Sequence, residues 1–167
     1  MKQIILFFIS LFIFSGCGNY LGDNLEELSD EGVYYEIFIR SFADSDGDGI
    51  GDINGITENL DYLVDLGIKG IWLLPIHPSP SYHGYDVVDY YDVNPDYGTL
   101  EDFKNLISEA HNRGIKVVMD MVLNHASSEH PWFVDSKENV DSEYKDYFIW
   151  ADANDSSYDF NASPIDG

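Results

Sequence analysis

Gly67-Ile68-Lys69 and Gly114-Ile115-Lys116 are the same three residues in the same setting, each standing between the end of a helical pattern and the start of an apolar strand pattern. Before the first, Ile56, Leu60, Leu63 and Val64 recur at helical spacing. Before the second, Leu100, Phe103, Leu106, Ile107 and Ala110 make one apolar face, and Thr99 with Asp102 is placed to form a capping box. A glycine just past the last apolar position acts as a helix stop. Residues 70–74, closed by Pro75, and residues 115–119 then predict two strands. Residues 33–39, β-branched and aromatic without Pro or Gly, predict an earlier buried one. Strands alternating with helices in this way predict a parallel sheet with crossover helices.

An open doubly wound sheet and a closed barrel both satisfy that pattern, and they differ in where the loops lengthen. Here the helix-to-strand joints are short, the strand-to-helix loops are long, and no glycine-rich phosphate fingerprint follows the first strand. The reading is therefore α/β, a partial (β/α)₈ TIM barrel comprising about the first three strands, with its site at the carboxyl ends of those strands. A complete barrel takes about 250 residues, against 167 here, so the chain is expected to be an N-terminal piece of the fold.

Each long loop carries unusual chemistry. The first reads Asp44-Ser45-Asp46-Gly47-Asp48-Gly49-Ile50-Gly51-Asp52. Alternate carboxylates can converge while glycine permits the tight backbone, and hard oxygen ligands suit Ca²⁺. An EF-hand is excluded because its bidentate Glu would fall at Gly55 and no helix pattern precedes the loop. Asp44, Asp46, Asp48 and Asp52 with the Ile50 carbonyl form the expected ligand set; the competing reading is a solvated acidic turn. The second loop carries His83-Gly84-Tyr85. An aromatic plane beside an imidazole suits a sugar ring, which offers an apolar C–H face edged by hydroxyls. Alternatively Tyr85 packs inward and His83 is merely exposed. Tyr90, Tyr91 and Tyr97 are read as mostly structural. The third strand runs into Asp120-Met121-Val122-Leu123-Asn124-His125, which delivers three polar side chains to a loop.

With 31 acidic and 8 basic residues, a formal charge of −23 repels phosphate backbones, so nucleic acid is not an expected partner.

Tyr34 to Arg40 followed by the acidic loop, then His83-Gly84-Tyr85, Asn94-Pro95-Asp96-Tyr97-Gly98-Thr99 and Asp120 to His125, together resemble the start of the α-amylase family, glycoside hydrolase family 13. The resemblance implies a barrel over residues 32–125 and the opening of an inserted B domain over residues 126–167, including Trp132, Phe133 and Trp150. It implies retaining hydrolysis of α-1,4-glucans such as starch, with the nucleophile and the acid on later strands. By itself this chain is expected to be inactive. His83, Tyr85 and His125 would bind the sugar whose bond is cut, Asp120 would orient a later arginine that touches the nucleophile, and Asn124 matches a calcium ligand of many members at a second site. Exo-acting members tend to carry Asp two places before the loop glycine, where this chain has Tyr82, which implies internal cleavage. A noncatalytic sugar-binding protein and an α-glucosidase or transglycosylase are the alternatives.

Residues 1–17 read as a targeting signal: Lys2, an apolar run too short to span a bilayer, and a small-residue site. Phe14-Ser15-Gly16-Cys17 resembles a bacterial lipobox, with Cys17 as the lipidated residue. The expectation is an extracytoplasmic lipoprotein that meets the membrane through its anchor only; the alternative is an ordinary secretory signal. Residues 18–31 would be a polar tether. Cys17 is also the sole cysteine, which leaves no intrachain disulfide.

Overall fold

A computed structural model describes residues 32–150. The expected signal, the lipidated Cys17, the tether and residues 151–167 of the expected insertion lie outside them.

Three parallel strands, β1 (Tyr34–Ile37), β2 (Gly70–Leu73) and β3 (Lys116–Met119), form one sheet in the order β1-β2-β3. The helices are α1 (Ile53–Glu58), α2 (Leu60–Asp65), α3 (Leu100–Asn112) and α4 (Pro131–Glu138), with 3₁₀ turns at Ile39–Ser41 and Lys145–Tyr147. The strands are in matched register, so Ile37, Leu73 and Met119 form the last row and Glu36, Trp72 and Val118 the row before it.

Because side chains alternate across a strand, these rows face opposite ways. Ile37, Ile71 and Leu73 are buried in a core with Ile53, Ile56, Leu60, Leu63, Leu106 and Ala110. Glu36, Trp72 and Val118 are exposed on the other face. The helices thus cover one side of the sheet, as they do on the outside of a barrel.

The two Gly-Ile-Lys joints fold alike. Gly67 and Gly114 take φ of 80° and 73°, a left-handed conformation that costs glycine nothing. After each, the isoleucine N–H returns to a carbonyl five residues back, Ile68 to Leu63 at 3.4 Å and Ile115 to Ala110 at 2.9 Å. The glycine N–H reaches Val64 or His111, both at 2.9 Å. This is a Schellman ending, and the buried isoleucine seals it onto the core. Lys116 N–H then donates to the Lys69 carbonyl at 2.9 Å, which joins the two joints directly.

Elsewhere the expectations need adjustment. The helical stripe at residues 56–64 is two helices broken at Asn59, whose Nδ2 donates to the Gly55 carbonyl at 2.8 Å. Side-chain bonds of this kind compete with the ladder. Val64 is exposed rather than part of the stripe, and so is Leu100 in the first turn of α3. The first strand stops at Ile37, and its last predicted residue, Ile39, opens the following 3₁₀ turn. The Thr99–Asp102 capping box forms as expected.

Candidate functional site

Both long loops leave the carboxyl end of the sheet. The first is folded tightly onto the turn before it: Gly51 N–H donates to the Arg40 carbonyl and Asp52 N–H to the Ala43 carbonyl, each at 2.9 Å. A Cβ at Gly51 would sit 2.1 Å from the Ile39 carbonyl oxygen, and one at Gly55 2.1 Å from that of Ala43. Nothing larger than glycine fits at either place.

Within this loop Asp44, Asp46 and Asp48 are exposed and can each bring a carboxylate oxygen within 4.8 Å of the others. Asp44 accepts Gly47 N–H at 2.7 Å and Gly49 N–H at 2.8 Å, Asp46 accepts Asp48 N–H at 3.1 Å, and Asp48 accepts Ile50 N–H at 2.7 Å. The Gly49 and Gly47 amides hold the Asp44 carboxyl below the usual carboxylate range. No ion pair among the described residues neutralises the three. Three convergent hard oxygens fit a divalent cation such as Ca²⁺.

The expected ligand set is not gathered whole, because Asp52 is separate from this group. Its two oxygens serve the fold, one accepting Ser45 N–H at 2.7 Å, the other the Ser45 hydroxyl at 2.8 Å and Gly55 N–H at 2.6 Å as the cap of α1. Burial pushes its pKa up, but these donors outweigh that and hold it low. Ile50 contributes its side chain to the core margin.

The second loop is joined to the end of β3. Tyr85 Oη donates to Asp120 Oδ2 at 2.5 Å, and the indole N–H of Trp72 donates to Asp120 Oδ1 at 2.6 Å. The bond to Asp120, with burial and that carboxylate's charge behind it, raises the Tyr85 phenol to about 12. His83 lies face to face with Tyr85, ring centroids 6.1 Å apart and planes 29° apart, and Tyr82 meets His83 edge-on at 5.4 Å. Gly84 passes beneath Pro75, with φ 81°. Asp86 accepts the Ser79 hydroxyl at 2.9 Å and that of Ser81, and stands 3.8 Å from His83 Nδ1.

His125 is only partly integrated. Its ring is exposed and its Nδ1 meets Asn124 Nδ2 at 3.3 Å, while no hydrogen bond or ring contact among the described residues joins it to His83 or Tyr85. Its backbone is held, since Tyr90 Oη lies 2.8 Å from the carbonyls of both Val122 and His125. Asn124, expected at a second calcium site, is exposed beside His125. Tyr90 and the buried Tyr97 are structural as expected; Tyr91 is 80% exposed and is not.

The expected sugar site is therefore an open surface of Tyr82, His83 and Tyr85 among the described residues, not an enclosed hollow. A shallow depression bounded by Tyr35, Phe42, Asn59 and Tyr62 contains none of these residues. Trp72 and Asp86 are the site residues that sequence reasoning missed. Period-two alternation puts Trp72 opposite the apolar Ile71 and Leu73, a signal available from the start. Past the site, α4 opens an aromatic cluster in which Trp132 stacks on Tyr144 and Phe133 on Trp150. Among the described residues no helix is long and apolar enough to cross a membrane.

Comparison with known proteins gives a consistent result. Residues 36–164 match the family model described as alpha amylase, catalytic domain. The chain is 50% identical to Alpha-amylase 3 of Dictyoglomus thermophilum over 151 residues, 90% of this chain and 30% of that protein. It is 53% identical to an oligo-1,6-glucosidase of Parageobacillus thermoglucosidasius over 121 residues, 72% of this chain and 22% of that one. The crystal structure of an alpha-amylase from H. orenii superposes with a TM-score of 0.71 at 60% identity, covering 72% of this chain and 26% of that chain. The chain thus spans less than a third of the length of these relatives.

Proposed function

This chain belongs to the α-amylase family, and from that premise we propose that the protein is a retaining glycoside hydrolase of α-1,4-glucans, acting inside the polymer. Tyr85 stacks on the sugar whose bond is cut, and His83 and His125 hydrogen-bond its hydroxyls. Asp120 supports Tyr85 from behind. The carboxylates that attack and protonate the glycosidic bond belong to later strands of the barrel. The bond from Tyr85 to Asp120 carries this reading, because it fixes an exposed aromatic face at the carboxyl end of a parallel strand, where barrels of this type place their chemistry.

Calcium would be held by Asp44, Asp46 and Asp48 and would stiffen the first loop by neutralising it; it takes no part in the reaction. Cys17 would carry the lipid anchor of an extracytoplasmic protein. Internal cleavage follows from Tyr82, which offers stacking surface without closing the site to a continuing chain; it is 71% exposed.

The test is the full-length protein on soluble starch. Viscosity should fall well before free glucose accumulates. Glucose released from chain ends at unchanged viscosity would favour the α-glucosidase reading, which the similarity to an oligo-1,6-glucosidase motivates. Maltooligosaccharide bound without any product would mark a sugar-binding protein. Cys17→Ser should release the protein from membranes, and a variant that stays membrane-bound would end the anchor proposal.

A further inference from the structure

We propose that Trp72 is a positioning residue of the candidate sugar site: its indole N–H holds one oxygen of Asp120 so that the other is presented to the Tyr85 phenol. Trp72 lies on the middle strand, paired on both sides, between two side chains that are fully buried on the opposite face, Ile71 and Leu73. Alternation turns it to the other face, where it is 42% exposed in one row with Glu36 and Val118, and its single polar atom is bound to a carboxylate.

The geometry explains what this accomplishes. A carboxylate held at one oxygen can turn about its own side chain, whereas one with a donor on each oxygen cannot turn without breaking a bond. Asp120 has Trp72 at 2.6 Å on Oδ1 and Tyr85 at 2.5 Å on Oδ2. Both are charge-assisted and short. The indole is donor-only, so it cannot reverse the polarity of the contact. Tyr85 is also fixed at its backbone, whose N–H donates to His83 Nδ1 at 3.1 Å. With the phenol oxygen pinned at one end and the main chain at the other, the long axis of the ring is set, and the facing His83 ring, 29° from parallel, limits its turn about that axis. Trp72 therefore acts on the sugar-stacking face through Asp120, without needing to touch the sugar.

What Tyr85 does for substrate rests on the glycosidase reading; the Trp72–Asp120–Tyr85 linkage does not, and the test separates them. In full-length protein labelled with ¹⁵N-tryptophan, the indole N–H resonance lost in Trp72→Phe should be the one that moves in Asp120→Asn, with the other indoles unmoved. On maltooligosaccharides Trp72→Phe should lower kcat/KM about tenfold, mainly through KM, the scale of one hydrogen bond to a charged group. The same change made on top of Tyr85→Phe should cost little more, because the two act as one unit. A Trp72 resonance indifferent to Asp120→Asn, or an equal loss in both backgrounds, overturns the proposal. Should Trp72→Phe fail to fold, Asp120→Asn alone decides, since one indole resonance must shift. If the unaltered protein cleaves no glucan, the glycosidase reading falls, and the resonance, read without substrate, still decides the role of Trp72.

Discussion

The two long loops leave the same end of the same sheet and are held in opposite ways. In the first, the carboxylates bond to amides and a hydroxyl no more than seven positions away, and Asp52 finishes by capping the very helix the loop leads into. In the second, Tyr85 and Tyr90 each reach 35 positions along the chain, to Asp120 and to the His125 carbonyl. The first is self-contained and lacks only a counter-charge. The second has bonds of its own, such as Ser79 and Ser81 to Asp86, but its aromatic side chains are also tied to β3 and the segment after it. Stability and sugar recognition should therefore respond to different substitutions, and the following measurements bear on that division.

The strongest blow to the first loop should come from Gly55→Ala, which sets a methyl group against the Ala43 carbonyl. Unfolding of the full-length protein in urea should show a loss of about 3 kcal/mol, the upper end for overpacking. A loss within experimental error would mean that the loop yields and is less self-contained than its bonds suggest. Calcium removal comes next. At a calcium concentration of about 100 times its Kd, bound ion contributes about 2.7 kcal/mol, so chelation should lower the unfolding midpoint, and Asp48→Asn should erase the difference. Equal midpoints with and without calcium would leave the acidic loop a solvated turn.

Tyr85→Phe should do the reverse. Starch hydrolysis should drop about tenfold in kcat/KM, in line with one charge-assisted bond, with little change in the urea midpoint. A large stability loss with unchanged kinetics would break the comparison. Smallest is Thr99→Ala, which removes the α3 cap and should cost about 1 kcal/mol. The pH dependence has the same origin. The Thr99 hydroxyl and amide hold Asp102 below the usual carboxylate value of 3.8. A depressed folded pKa means the contribution is complete above that value and is lost as pH falls through the lower, folded one. Acid titration of stability should therefore be shallower in Asp102→Asn; identical profiles would exclude this carboxylate as a contributor.

How far the sequence carried depends on range. The glycine helix stops, the Thr99 cap and the three strands follow from local pattern and formed where they were read, apart from strand ends, the first strand stopping two residues early. Asn59 broke a helix because its amide found a carbonyl, a competition that hydrophobic spacing does not register. Asp52 was read as a metal ligand because its position fits the alternation; its bond from Gly55 N–H, three positions on, caps α1, a local signal that the alternation masked. Trp72 and Asp120 are 48 positions apart. Only the pairing of β2 with β3 brings them together, and a strand's alternation gives a face without naming its partner. Leu100 sits at helical spacing yet is exposed, since the first turn of α3 extends past the edge of the core.

The twin glycine hinges at the opposite rim have a consequence for how such a molecule can vary. Each locks its helix to the next strand within three residues, and Lys116 grips Lys69 across the gap. Insertions in either long loop would then be absorbed at the far rim, leaving strand register untouched. The scaffold behaves like a handle with exchangeable bits, free to acquire new specificities at one end because the other end never has to be renegotiated.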